Sequence, residues 1–341
     1  MSGEAAMERG PEEPLGEWGR RLSDRIREAL DAGDLTGARR QALEGDGQSR
    51  SLEKEYALMY KGLGITIRIL LDLLGETAAR GAAADRQAAE RALVNLLGRF
   101  RGDMLALLQR AYGVSAAVPG VSGEAGLEGE LARTARLVAE AERLFSREQG
   151  RRAAEVVQAI NAGKPHRARG LVDRKERDEY LPLHDRLIRF MAEVFGYVLT
   201  QFGSAELYRF HRATAEGQRR GFEQWERLPA AEFARATAFL LKQHMGSVEV
   251  REDREKFTIV QTPCGSGGRL RLAGAYSGPE ALPFVEGRGP LTAEQERFPV
   301  YCSHCPIWNG VAPVEWFGHP QWVFENPSRS DGSCTLHIYK R

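Results

Sequence analysis

Apolar residues recur every three to four positions through most of the first 245 residues, the spacing of one face of a helix. Leu63, Ile67, Leu70, Leu71 and Leu74 make such a stripe, and predict a helix over residues 52–74. The same reasoning predicts helices over residues 15–31, 85–112, 130–162, 180–202, 205–227 and 230–243. Pro229 stands where a proline suits a helix start. Residues 113–129 carry Pro119 and five glycines, and read as a linker.

The period changes after Gly246. Residues 247–251 and 256–262 read as two strands joined by the polar turn Glu252-Asp-Arg-Glu255. Phe257, Ile259 and Gln261 then share one face. Residues 270–272 extend this pairing, and Cys334-Thr-Leu-His-Ile-Tyr339 is a closing strand. Irregular, aromatic-rich segments lie between. The fold class expected is α+β: a duplicated all-helical N-terminal region followed by a small cysteine-rich antiparallel-sheet domain.

The duplication is read from a repeated stop signal. Ala29-Leu-Asp-Ala-Gly-Asp34 resembles Ala159-Ile-Asn-Ala-Gly-Lys164, and Ala38-Arg39 matches Ala168-Arg169, 168 − 38 = 130 positions on. Further along, Leu70-Leu71 and Leu74-Gly75 match Val198-Leu199 and Phe202-Gly203 at an offset of 128. The glycines after Ala32 and Ala162 suit a helix C-cap, where positive φ is needed. Chance similarity between two Ala-rich helices is the alternative. The organisation expected is a disordered tail at 1–14, helical unit 1 at 15–112, a linker at 113–129, helical unit 2 at 130–245 and a cysteine-rich domain at 246–341.

Composition adds exclusions. The 48 basic and 47 acidic residues nearly balance, which leaves no electrostatic footprint for nucleic acid. No apolar run is long enough for a membrane span, and the acidic start lacks the form of a secretory signal. A cytoplasmic protein is expected, with a small molecule as partner, and no nucleic acid or membrane. The oligomeric state is not readable.

Cysteine placement changes the picture most. None precedes position 264, and all four, Cys264, Cys302, Cys305 and Cys334, follow it. In a reducing compartment such clustering points to metal or redox chemistry. Cys302-Ser-His-Cys305 presents two sulfurs across a tight turn, as tetrahedral zinc requires. Cys264 precedes Gly265-Ser-Gly-Gly268, and Cys334 follows Ser330-Asp-Gly-Ser333, so each lies beside a turn. Small residues after Cys264 would let backbone amides face its sulfur. The leading expectation is a four-sulfur Zn2+ site. A dithiol redox pair at Cys302 and Cys305, a reactive Cys264 or Cys334, and unrelated buried thiols are the alternatives, and His304 inside the Cys-x-x-Cys could replace one sulfur. His337 lies three residues after Cys334, on the opposite face of a strand.

If one sulfur is not a ligand, the ion keeps an open position and hydrolysis or elimination becomes feasible. His319, Glu315 and His304 are the acid–base candidates for such an enzyme. His184, His211 and His244 lie on predicted helices, where packed or surface roles are commoner. Trp308, Trp316, Phe317 and Trp322 would line a pocket at a domain junction, or form a small core. The glycine run after Cys264 follows a strand with no helix expected after it, so it is not read as a phosphate loop. The leading expectation for function is a zinc-binding cytosolic hydrolase or lyase acting on a small polar molecule, and a ligand-sensing or protein-interaction module with a structural four-Cys zinc site is the competing one.

Cys264 after a strand, Cys305 in a loop and the closing Asp331-Gly-Ser-Cys334-Thr-Leu-His-Ile-Tyr segment resemble the domain of L-2-amino-thiazoline-4-carboxylate hydrolase-like proteins and 4-vinyl reductase domains. The resemblance covers about the last 90 residues. It implies an α+β domain used as a small-molecule hydrolase or as a ligand-sensing, metal-holding module. It also implies a metal or thiol role for Cys264, Cys305 and Cys334. Cys302 and the long helical region before it depart from that pattern.

Overall fold

The computed structural model describes residues 13–45, 51–80, 85–113, 126–325 and 327–340. The tail expected at 1–14 lies almost wholly outside the described residues, as does residues 114–125 of the expected linker. The chain is α+β, with long helices first and a small antiparallel sheet last.

The helices are α1 (Leu22–Asp31), α2 (Leu35–Glu44), α3 (Ala57–Arg80), α4 (Arg86–Tyr112), α5 (Gly126–Asn161), α6 (Pro165–Asp173), α7 (Leu181–Phe202), α8 (Ser204–Glu226) and α9 (Ala230–Lys242). The helix expected over 15–31 is broken. A single turn, Leu15–Glu17, precedes α1, and Trp18 stacks on Phe257 with ring centroids 5.9 Å apart, so tertiary packing overrides local helix preference. The segments after Gly33 and Gly163, where no helix is expected from the sequence, are themselves helices, α2 and α6. Asp34 caps α2 by accepting from the Gly37 amide at 2.8 Å, and Pro165 opens α6.

The repeat is visible in the backbone. Gly33 and Gly163 take φ of 76° and 65°. The same turn closes both copies, Asp34 N–H to Ala29 O at 2.8 Å and Lys164 N–H to Ala159 O at 3.0 Å. α1 packs on α6, and α2 on α5. Arg39 donates to Asn161 at 3.0 Å, while Arg169 pairs with Asp31. These contacts are equivalent, since 161 − 31 and 169 − 39 both equal 130. Residue i meets the partner of j as j meets the partner of i, which is how a two-fold axis relates two copies.

Between α6 and α7 the chain runs through a wider π turn, Arg174–Tyr180. It turns Lys175, Glu176, Glu179 and Tyr180 inward, all buried. Arg152 meets Glu179 at 2.6 Å, Glu176 takes contacts from Arg27 and Tyr56, and Lys175 lies 3.9 Å from Glu55. Burial lowers the Lys175 pKa and raises that of Glu55. This charged cluster joins the two copies.

Four strands, β1 (Val248–Glu252), β2 (Lys256–Gln261), β5 (Val323–Glu325) and β6 (Cys334–Tyr339), form the main sheet in the order β1-β2-β6-β5, all antiparallel. A separate two-stranded ribbon is formed by β3 (Phe284–Glu286) and β4 (Arg297–Pro299). Phe257, Ile259 and Gln261 are the buried face of β2, opposite Ile338, Leu336 and Cys334. α9 covers that face through Phe233, Ala234, Ala238 and Leu241. Residues 270–272 are not a strand. Both neighbours of β2 are already taken, and the segment coils into α10 (Gly267–Leu272). A second, larger core runs without interruption from Tyr56, just before α3, through α3, α4, α5, α7 and α8 to Leu270, Val285, Tyr301 and Trp308. The change of secondary structure near Gly246 is therefore bridged by shared packing.

Candidate metal centre

The last residue of β2, Gln261, sits opposite the first of β6, Cys334. Cys264 follows β2 by three residues, and its amide donates to Gly332 O at 2.9 Å. The ends of both strands thus bring two cysteines to one end of the sheet. Cys302 and Cys305 come from consecutive tight turns, Val300–Ser303 and His304–Pro306.

The glycine run has a steric role here. A Cβ on Gly267 would lie 2.7 Å from the Cys302 Sγ, and one on Gly268 would lie 2.1 Å from Gly332 O and 3.0 Å from the Cys264 Cβ. Real Cβ atoms do not approach so closely, so only glycine lets these three segments meet. The amides expected to face the Cys264 sulfur are not its partners. That sulfur lies 3.5 Å from the Ser266 hydroxyl instead.

Cys264, Cys302, Cys305 and Cys334 all line one cavity of about 240 Å³. Its other wall belongs to the helices, with Leu63 on α3 and Met191 on α7 among the contributors. These two positions are related by the repeat, since 191 − 63 = 128. Trp308, Trp322 and Phe222 add aromatic surface. The cavity therefore lies where the duplicated helices meet the sheet-bearing segment.

All four cysteines are free thiols. Burial pushes the Cys334 thiol up to about 12, with Cys264 and Cys302 adding to the rise. Burial also raises Cys305 well above the ordinary thiol range, and the other three sulfurs raise it further. Cys302 is raised by burial too, and the Arg271 guanidinium opposes this. Arg271 Nη1 donates to its sulfur at 3.3 Å. Burial and neighbouring sulfurs thus disfavour the thiolate at Cys302, Cys305 and Cys334, an effect that a thiophilic cation would reverse. The donor chemistry fits zinc. Among the described residues no group of three or more His, Cys, Asp or Glu side chains stands in an arrangement that could hold a metal ion, so the sulfurs share a cavity without forming a closed ligand set.

The three acid–base candidates separate. His304 is buried in the cavity wall, with Nδ1 against Tyr301 O and Nε2 3.4 Å from the Cys305 sulfur. Burial pushes its pKa down to about 4. His319 pairs with Glu226 at 2.8 Å in a different depression, beside Trp225 and Pro229. Glu315 pairs with Arg212 at the surface. Neither His319 nor Glu315 lines the cysteine cavity. Trp316 packs at a tilt against Phe222, and Trp316 and Phe317 are likewise outside the cavity wall. His337 points to the opposite sheet face, 3.0 Å from the Thr258 hydroxyl and 2.9 Å from Glu325.

Arg271 escaped sequence reasoning, because Arg-Leu-Arg-Leu alternates like a strand. His244, read from the sequence as a packed or surface helical residue, lines the cavity instead. The chain matches no protein-family model, no curated protein and no solved structure. Among the described residues no helix is long and apolar enough to cross a membrane.

Proposed function

We propose that this protein holds one zinc ion on Cys264, Cys302, Cys305 and Cys334, and binds a small, mainly apolar molecule in the cavity beside it. The observation that carries the reading is that sulfurs from three separate segments line one cavity, whose far wall is built by the duplicated helices. Zinc when bound would supply the positive charge that keeps buried thiolates ionised, and would tie the three segments together. Arg271 would balance the negative charge of the sulfurs through Cys302. A cytoplasmic, reducing setting suits four free thiols. The resemblance to metal-holding, ligand-sensing domains agrees with this assignment.

A hydrolase or lyase is the second reading, favoured by His304 beside Cys305 in the cavity wall. It requires one sulfur to be spared as a ligand, because a four-sulfur ion has no open position. The test is elemental analysis of protein purified without added metal. About one equivalent of zinc is expected, and most of it should be lost in Cys305→Ser. Wild-type protein that carries no bound metal after this purification would refute the proposal.

A further inference from the structure

His184 and Asp185 open α7, and His244 lies just past the end of α9. Their side chains form one chain. Asp185 Oδ1 lies 2.8 Å from His184 Nδ1, and His184 Nε2 lies 2.8 Å from His244 Nδ1. Asp185 is partly exposed, His184 is fully buried, and His244 lines the cysteine cavity. The chain therefore runs from the surface to the cavity.

Its polarity follows from donor chemistry. Arg269 pairs with Asp185 at 3.1 Å, and an ionised carboxylate only accepts. His184 must then carry its proton on Nδ1. Burial lowers the pKa of both imidazoles, and each ring is further opposed by the nearby Arg269 cation; His304 and His184 also oppose a charge on His244. Asp185 alone acts the other way, on His184. Both rings are neutral near pH 7. A neutral His184 protonated on Nδ1 can only accept at Nε2, so His244 donates from Nδ1. His244 is left with a bare Nε2, which has no hydrogen-bond partner among the described residues. Arg269 also donates to Met245 O at 3.1 Å and to the carbonyls of His244 and Gly265, which fixes the ring's backbone against the Cys264 loop.

We infer that Nε2 of His244 is a hydrogen-bond acceptor held open to the cavity by His184 and Asp185, and that the cavity selects a mainly apolar small molecule carrying one O–H or N–H donor. This rests on the small-molecule reading above. His184 and Asp185 are positioning residues, and His244 touches the ligand.

Two measurements on the full chain test it. The first is a long-range ¹⁵N–¹H correlation on histidine-labelled protein at pH 7. Both His184 and His244 should be Nδ1–H tautomers, and Asp185→Asn should mix the His184 tautomers. A proton on His244 Nε2 would overturn the inference. The second uses benzyl alcohol and ethylbenzene, which differ by a hydroxyl against a methyl. His244→Phe should weaken benzyl alcohol about fivefold to tenfold, the worth of one hydrogen bond, and leave ethylbenzene within about twofold. Equal losses for both probes would overturn donor recognition while leaving the cavity a ligand site. Binding of neither probe to wild type would remove the small-molecule reading, and this inference with it.

Discussion

Helices α1 to α7 hold the same turn twice, 130 residues apart, and each copy seats its apolar face on the other. Between β2 and β6 the chain is ordered instead where glycines let three backbones touch and where four sulfurs face one cavity. The first region spreads its stabilisation over many similar helix contacts. The second concentrates it at a few points. Damage to one point should therefore be graded in the helices and severe in the cysteine region.

Glycine substitution should expose the contrast most strongly. Gly268→Ala would put a Cβ 2.1 Å from Gly332 O, and should cost about 3 to 5 kcal/mol of unfolding free energy. Gly102→Ala, in open space on α4, should instead stabilise by about 0.5 to 1 kcal/mol. Urea denaturation of the two variants checks both signs.

Metal removal is next. A chelator should reduce stability by about 3 to 4 kcal/mol, the linkage expected of a ligand present far above its dissociation constant. Hydrogen exchange should quicken around residues 264–334 and stay unchanged in α1, α2, α5 and α6. Uniform quickening would mean that the two regions share one stability.

Acid should then act on the seam between them. An unfolded histidine titrates near ~6.5, whereas burial holds His184, His211 and His244 below that in the fold. The folded state binds fewer protons than the unfolded one, so stability is full above about pH 6.5 and falls as pH drops below it. Urea midpoints at pH 7.5 and 5.5 should differ in that sense, and His211→Gln should reduce the difference. A midpoint that rises at pH 5.5 would reverse the sign.

The smallest effect concerns the repeat itself. Arg39→Ala and Arg169→Ala remove equivalent, exposed contacts. Each should cost less than about 1 kcal/mol, and the two costs should be similar. A large cost for only one would break the two-fold relation.

The two regions also differed in how far they could be read. The stripe of Leu63, Ile67, Leu70 and Leu74 fixes α3 because its period is local, and Gly33 and Gly163 mark their stops for the same reason. α2 and α6 are short, and next to those stops they looked like connections. The closing strand and the opposite facing of Cys334 and His337 follow from a period of two. What could not be read depended on contacts remote in sequence. Arg271 reaches Cys302 because α10 replaces a strand, and His184 meets His244 only when α7 packs beside the end of α9. His319 and Glu315 looked reactive by proximity to the cysteines in sequence, yet the turn at Gly318 carries one to Glu226 and the other to Arg212.

Central to the account is that four sulfurs share one ion. X-ray absorption at the zinc edge, on protein purified without added metal, tests this most directly. Four sulfur scatterers at about 2.3 Å are predicted. A first shell of nitrogen and oxygen alone, or no zinc in protein purified in this way, would contradict it.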